Sequence, residues 1–299
     1  MNQFPYLEEV SRQLKIEPQI LMKIYELESK FNQEINKEVS FDKRQELYQF
    51  IYTEIPKLFT EDHTDYFQVL VRKKLKIVKQ FRKELENKSV LDIGSGVGSF
   101  LYALRKSDVQ VTEAYGVDIK AAEYPKEEIE QLNIKFYQQN ILDFKVDRPF
   151  DVIMLDNVYE HIAMADQPYF FKSLKSAVKK GTKIIMILPH RMFGPTDYTR
   201  IIDNTHSGRL KAKLVHLNES SFTEIMSDLK EQGFGNFKTT VPFIAFQAIR
   251  NLFPTMRLPA SWFAYIENNK FLMKCLYLIH KRNRPLFRME VLVVGEYLG

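Results

Sequence analysis

A single cysteine, Cys275, stands among 299 residues, so no intramolecular disulfide can form and a thiolate zinc cluster has no ligands to draw on. Long apolar runs are missing as well: nowhere do about 18 uncharged apolar residues follow one another, the length a membrane-spanning helix needs. The stretch MNQFPYLEEVSRQLK has neither a basic start nor an apolar segment with a small-residue cleavage site, so no secretory signal is expected and a reducing, cytoplasmic setting fits. Neither sign of charge dominates. Lys and Arg number 43 against 38 Asp and Glu, a net charge of +5, which is mild for this length and gives weak support to a nucleic-acid partner. Local basic clusters, RKKLK (72–76) and HKRNR (280–284), suit solvated helix ends or contact with phosphates or an anionic surface. No internal repeat or low-complexity tract is present.

What the chain does have is a hydrophobic content of 45%, enough for one large domain and a smaller one. Its first part, rich in Leu, Ile, Glu, Lys and Gln, reads as helical. Ile20, Leu21, Ile24, Tyr25 and Leu27 recur at helical spacing, as do Leu47, Phe50, Ile51 and Ile55. We take 1–64 as an N-terminal helical cap and 65–299 as the main domain, in which a helix from about Tyr66 to Leu85 leads into the first strand. Strands are expected at 89–93, 114–119, 134–138, 150–156 and 183–189, with helices near 98–106, 121–132 and 167–179 between them. After Pro189 comes a loop of 28 residues, then a helix capped by Asn218 or Ser220 and ending at Gly233, a strand at 236–243, a helical insert at 245–285, and a closing strand at 288–298. Alternating strands and helices predict an α/β fold with a doubly wound, mostly parallel, seven-stranded sheet. Ligands of such sheets bind at the carboxyl ends of the strands, near the reversal of strand order.

At one of those ends the chain reads VLDIGSGVGSF (90–100). Glycine lets the backbone turn tightly and approach a ligand closely, and the helix that follows offers free N–H groups. A dinucleotide-binding turn of the form G-x-G-x-x-G needs glycine at position 99, where this chain has Ser99. The observed D-x-G-x-G-x-G resembles motif I of class I S-adenosylmethionine (SAM) dependent methyltransferases. Asp118 ends the second strand 24 residues after Gly94, Asn140 follows the third, and FDVIMLDNVYEHI (150–162) is similar to the family's fourth-strand segment, Glu-His pair included. The resemblance covers about residues 88 to 190.

The resemblance implies SAM as cofactor, held by Asp92, Gly94, Gly96, Gly98, Asp118, Asn140, Ile141 and Asp156. Asp118 would accept from the ribose hydroxyls. Asn140 stands where the family often has an acidic residue against the adenine, and its amide oxygen can still accept; Asp143 is the alternative.

Methyl transfer from a sulfonium is an in-line displacement that needs a general base only for a protonated nucleophile of high pKa. Two chemistries lack their residues: DNVY replaces the Asn/Asp-Pro-Pro-Tyr/Phe stretch used on exocyclic adenine amines, and Cys275 lies in the insert, away from any pyrimidine-attacking position. For a hydroxyl acceptor the candidate bases are His190, which follows the fifth strand, and His161, with His206 and His216 weaker. Asn157, Glu160 and His161 match a metal site only in part, and no metal is expected. The stretch 189–234 is similar to bacterial methyltransferase-domain proteins, many of them in glycan or lipopolysaccharide biosynthesis; Arg191, Tyr198, Arg200 and Arg209 are its candidate anion-binding residues. The aromatic and basic insert reads as core, as a lid over the acceptor, or as a peripheral membrane surface. The resulting expectation is a methyltransferase acting on a hydroxyl or carboxyl of a small-molecule or glycan-like acceptor. Methylation of RNA or protein, a non-catalytic SAM-binding subunit and an NAD enzyme are the alternatives.

Overall fold

The structure is a computed structural model that describes residues 3–59, 63–120, 130–205, 210–241, 252–253, 255–282 and 290–299. Most of the helix expected at 121–132 therefore lies outside the described residues, as do His206 and Arg209. The chain divides into two compact units.

The larger unit, residues 62–158, 167–188 and 222–299, is built on a sheet. Its described strands are β1 (Ser89–Ile93), β2 (Glu113–Asp118), β3 (Ile134–Gln138), β4 (Val152–Asp156), β5 (Lys183–Pro189), β6 (Phe234–Thr239), β7 (Leu258–Pro259) and β8 (Glu290–Tyr297). They lie in the order β3-β2-β1-β4-β5-β8-β6-β7. From β3 to β5 every pair is parallel, while β6 is antiparallel to both β7 and β8. Among the described residues the sheet has eight strands where seven were expected. The additional one is a two-residue edge strand inside the insert, too short to register as a periodic pattern in the sequence.

All five residues of β1 are buried, as expected of a strand covered on both faces, which reads as a continuous apolar run. Two helices, His63–Gln80 and Ser99–Lys106, pack on each other, and Val71, Val78, Phe100, Leu101 and Leu104 meet β1 and β2 in one apolar core. A 4-residue helical turn (Arg82–Leu85) connects the first of these helices to β1. Strand order reverses between β1 and β4, so the carboxyl ends of β1, β2 and β4 adjoin at the switch point.

Helix Phe222–Glu231 is capped by a distant residue and not by its own flank. Glu267, on the helix Ala260–Asn268, accepts from Phe222 N at 3.0 Å and Thr223 N at 2.6 Å, placing a carboxylate where the helix dipole favours it. Asn218 and Ser220 do not take that role. Within the insert, Ala260, Phe263 and Met273 are buried, whereas Trp262, Tyr265, Phe271 and Leu278 are exposed. Among the described residues no helix is long and apolar enough to cross a membrane.

The smaller unit gathers residues 1–61, 159–166 and 189–221. Helices Leu7–Leu14, Pro18–Ile35 and Phe41–Lys57 form its frame. The second buries Leu21, Ile24, Glu28, Phe31 and Ile35, a regular one-sided stripe with a carboxylate at its middle position. The third buries Arg44, Tyr48 and Ile51, and Phe50 of the expected apolar stripe is exposed. The reason is a buried ion pair: Arg44 Nε and Nη2 donate to Asp166 Oδ1 at 2.9 and 2.6 Å, and the Tyr48 hydroxyl donates to Asp166 Oδ2 at 3.1 Å. Polar residues thus take the inward face because their partner waits there.

Candidate functional site

Three glycines with left-handed backbone shape the loop after β1: Gly94, Gly96 and Gly98 have φ of 71°, 53° and 66°. At Gly94 a Cβ would come within 2.5 Å of Val158 Cγ2, whereas at Gly96 it would meet nothing within 4 Å. Gly94 is therefore fixed by packing, and Gly96 borders open space. The loop is tied to β2 by Gly94 N and Ser95 N, which donate to the Val117 carbonyl at 2.8 and 3.1 Å. Ser95 Oγ is buried and has no protein hydrogen-bond partner.

Four charged side chains surround this loop. Asp118 Oδ2 accepts from Gly96 N at 2.7 Å, and Oδ1 accepts from Lys120 N at 3.0 Å. Asp156, at the end of β4, receives Lys74 Nζ at 2.6 Å and the Asn157 amide at 2.9 Å. Asp92 is buried in β1. Burial holds its pKa well above the ordinary carboxyl value; the charges of Asp156 and Asp118 push the same way, against Lys74. Lys74 is thus the one basic group among the electrostatic partners of Asp92, and Asp156 and Asp118 are the acidic ones. Lys74 is the residue missed in the sequence, where it is the middle of RKKLK (72–76) and reads as part of a solvated helix end.

Asn140 and Ile141 lie in the turn after β3. The Asn140 side-chain oxygen accepts from Leu142 N at 3.0 Å, which fixes the turn. Asp143, the alternative, is exposed.

The two expected bases belong to the smaller unit. His190 is fully buried; its Nδ1 accepts from Met192 N at 3.1 Å and so caps the short turn Arg191–Phe193. His161 ends the turn Tyr159–His161 that follows β4, with its ring edge-on to His216 at a centroid distance of 4.8 Å and to Tyr52 at 6.0 Å. Burial, with His216 beside it, lowers its pKa to about 3, so it is neutral. His216 Nδ1 lies 3.0 Å from both Glu219 Oε1 and Thr196 Oγ1. Burial works against its charge, but the Glu219 hydrogen bond and the Glu160, Asp197 and Glu219 carboxylates raise its pKa to about 9. Glu28 adds to this cluster with a pKa pushed up to about 8 by burial and by Asp197. Of the candidate anion-binding residues, Arg191 is exposed, Arg200 donates to Asn204 and Gln13, and Tyr198 packs in the apolar core around Val10, Leu21 and Ile201.

A doubly wound sheet with a glycine-rich turn and strand-end carboxylates at its switch point defines a nucleotide-type cofactor enzyme. The family is fixed by direct comparison: residues 65–238 match the family described as Methyltransferase domain, and the chain belongs to it. A protein of Geobacillus sp. (strain WCH70) named as a methyltransferase is 34% identical over 103 residues, 33% of this chain and 39% of that relative. Among solved structures, a SAM-dependent methyltransferase from Archaeoglobus fulgidus is 17% identical, with 76% of this chain and 94% of that chain covered at a TM-score of 0.46. The Burkholderia thailandensis 1,6-didemethyltoxoflavin-N1-methyltransferase, with bound S-adenosylhomocysteine, is 12% identical, with 77% and 79% covered and a TM-score of 0.46. The family match carries the assignment.

Proposed function

We propose that this methyltransferase uses SAM and moves its methyl group to a hydroxyl or carboxyl of a small-molecule or glycan-like acceptor. The observation that carries the cofactor reading is the acidic lining of the site: Asp118 and Asp156 against Lys74, with the buried Asp92 as a carboxyl that a cationic ligand can ionise. SAM brings an ammonium and a sulfonium, and both gain from such a site. The diphosphate of NAD would meet the carboxylates of Asp118 and Asp156. The open side of Gly96 and the buried Ser95 Oγ add room and a polar atom for the ligand. Asp118 keeps unshared lone pairs for ribose hydroxyls beyond the two backbone bonds it accepts.

On the acceptor side, a carboxylate nucleophile needs no base, and a hydroxyl needs one. His161 is the candidate base because its Nδ1 has no protein partner, and with its pKa held at about 3 by burial it would act as a weak one. His190 is assigned a positioning role, since its cap bond orders the turn that follows β5. The exposed Trp262, Tyr265 and Phe271, with exposed Lys270 and Lys274 among them, support a second reading of the insert as a peripheral membrane surface that would bring the enzyme to a lipid-linked acceptor.

The test is calorimetric titration with SAM, S-adenosylhomocysteine and NAD, repeated on Asp118→Ala, followed by S-adenosylhomocysteine release with a panel of hydroxyl and carboxyl acceptors. Binding of both adenosyl ligands, lost in the variant, supports the cofactor reading. NAD binding without SAM binding overturns it. Tight binding with no acceptor-dependent release favours a non-catalytic subunit.

A further inference from the structure

The smaller unit holds a largely buried cluster of two imidazoles and a carboxylate. Glu160 is fully buried, and Glu160, His161 and His216 each place one ligand-type atom within 4.8 Å of the other two. We propose that these three side chains form a binding site for a first-row divalent transition metal, of which zinc is the representative.

Three features of geometry support the site. His161 Nδ1 is buried and has no protein hydrogen-bond partner, while the imidazole bonds to the backbone of Val215. With Nδ1 unpartnered, that bond runs through Nε2, and the lone pair of Nδ1 faces away from it. His216 is held at Nδ1 by Glu219 and Thr196, which leaves Nε2 as its ligand atom. Each imidazole thus has one nitrogen oriented by a backbone or carboxylate group and the other available, the arrangement by which proteins fix metal-ligating histidines. Two imidazoles and a carboxylate are a mixed nitrogen and oxygen set that suits zinc and its neighbours and disfavours magnesium, which prefers oxygen alone. In a tetrahedral shell with bonds of about 2.1 Å the ligands stand about 3.4 Å apart, so closure asks for side-chain rotation of about an ångström.

Glu28, Asp197 and Glu219 lie buried or nearly so around His216, an acid-rich setting for a cation. The expectation that no metal binds was drawn from Asn157, Glu160 and His161. In the fold Asn157 is exposed, with its amide on Asp156, and the third ligand comes instead from His216, 55 residues beyond His161. The inference does not depend on the SAM reading. A bound metal makes His161 a ligand and withdraws it as the base for a hydroxyl, so the two roles exclude each other.

The test uses the full chain, stripped with a chelator and titrated with Co2+ as a coloured stand-in for zinc. One equivalent with visible d–d absorption, displaced by Zn2+ but not by excess Mg2+, is the expected result. His161→Gln and His216→Gln, each checked for folding by circular dichroism, should lose the absorption. Glu219→Gln should weaken binding about 10- to 100-fold through loss of its orienting bond. X-ray absorption of the zinc-loaded wild type gives a second readout that needs no variant, with two imidazoles expected in the metal shell. No stoichiometric Co2+ signal, an unchanged signal in both folded histidine variants, or a shell with fewer than two imidazoles overturns the proposal and leaves the SAM reading untouched.

Discussion

Lys74 Nζ lies 2.6 Å from Asp156 Oδ2, with side-chain exposures of 20% and 5%, so a helix that precedes the whole sheet in the chain supplies the counter-charge at its switch point. Removing one partner of a largely buried pair leaves the other charge unbalanced. Lys74→Ala is expected to destabilise the protein by about 2 kcal/mol, below the 3–5 typical of fully buried pairs because the lysine is partly solvated. The double variant with Asp156→Asn should be more stable than the sum of the single losses predicts. Urea denaturation of the four proteins in the cycle measures this; additive losses would mean that the two groups are not coupled.

The glycine loop separates packing from ligand access. Gly94→Ala combines a φ of 71° with a contact of 2.5 Å to Val158, and a loss of about 2–4 kcal/mol is expected from strain and overpacking together. Gly96→Ala meets no neighbour, so only the left-handed backbone costs, about 1 kcal/mol. Its methyl group points into open space beside Asp118, and SAM affinity is expected to fall at least tenfold while the fold persists. Thermal unfolding and calorimetry on the same samples distinguish the two; equal effects on stability would contradict the different roles given to these glycines.

Asp92 holds its proton more tightly than an ordinary carboxyl, through burial first and the charges of Asp156 and Asp118 second. A cationic ligand favours the ionised form, so SAM binding should release protons, and affinity should decline as pH falls. Titration of SAM in buffers of different ionisation enthalpy gives the proton count. Asp92→Asn should abolish the release, and a wild type that releases none would show that the cofactor's cationic groups do not sense this carboxylate.

Much of the sheet unit is legible in the sequence because each strand is short, apolar and bounded by turn residues. β1, β3 and β5 fall at the expected residues, and β2 differs by one residue at each end. β7 is two residues long and leaves no pattern. The smaller unit is harder to read, because its three segments are separated by most of the sheet in the chain. Arg44 and Glu28 sit on buried helix faces and break the apolar stripes there, which is the local trace of distant partners; no spacing rule names Asp166 or His216 as those partners. Lys74 is hidden for the same reason, as a basic residue among basic residues whose meaning comes from a strand end 82 positions away.

Acid should loosen the sheet at one identifiable carboxylate. Asp151, just before β4, accepts from Ser89 N and Oγ at 3.0 and 2.9 Å and pairs with Lys179 at 2.8 Å, joining the start of β1 to the edge of β4. Burial acts to raise its pKa, but the Lys179 and Ser89 hydrogen bonds outweigh it and lower the value from 3.8 to about 2. Because the folded value lies below the unfolded one, the stabilisation is complete above pH 4 and is lost as pH falls from there toward 2. With Asp151 30% exposed, solvent screening reduces the contribution to about 1–2 kcal/mol. Asp151→Asn keeps an acceptor for Ser89 but loses the ion pair, so it should be less stable than wild type at pH 7 and lose less on acidification. Urea midpoints from pH 7 to pH 2 test this: wild type and variant should converge toward the acid end, and parallel curves would place the acid sensitivity in other carboxylates.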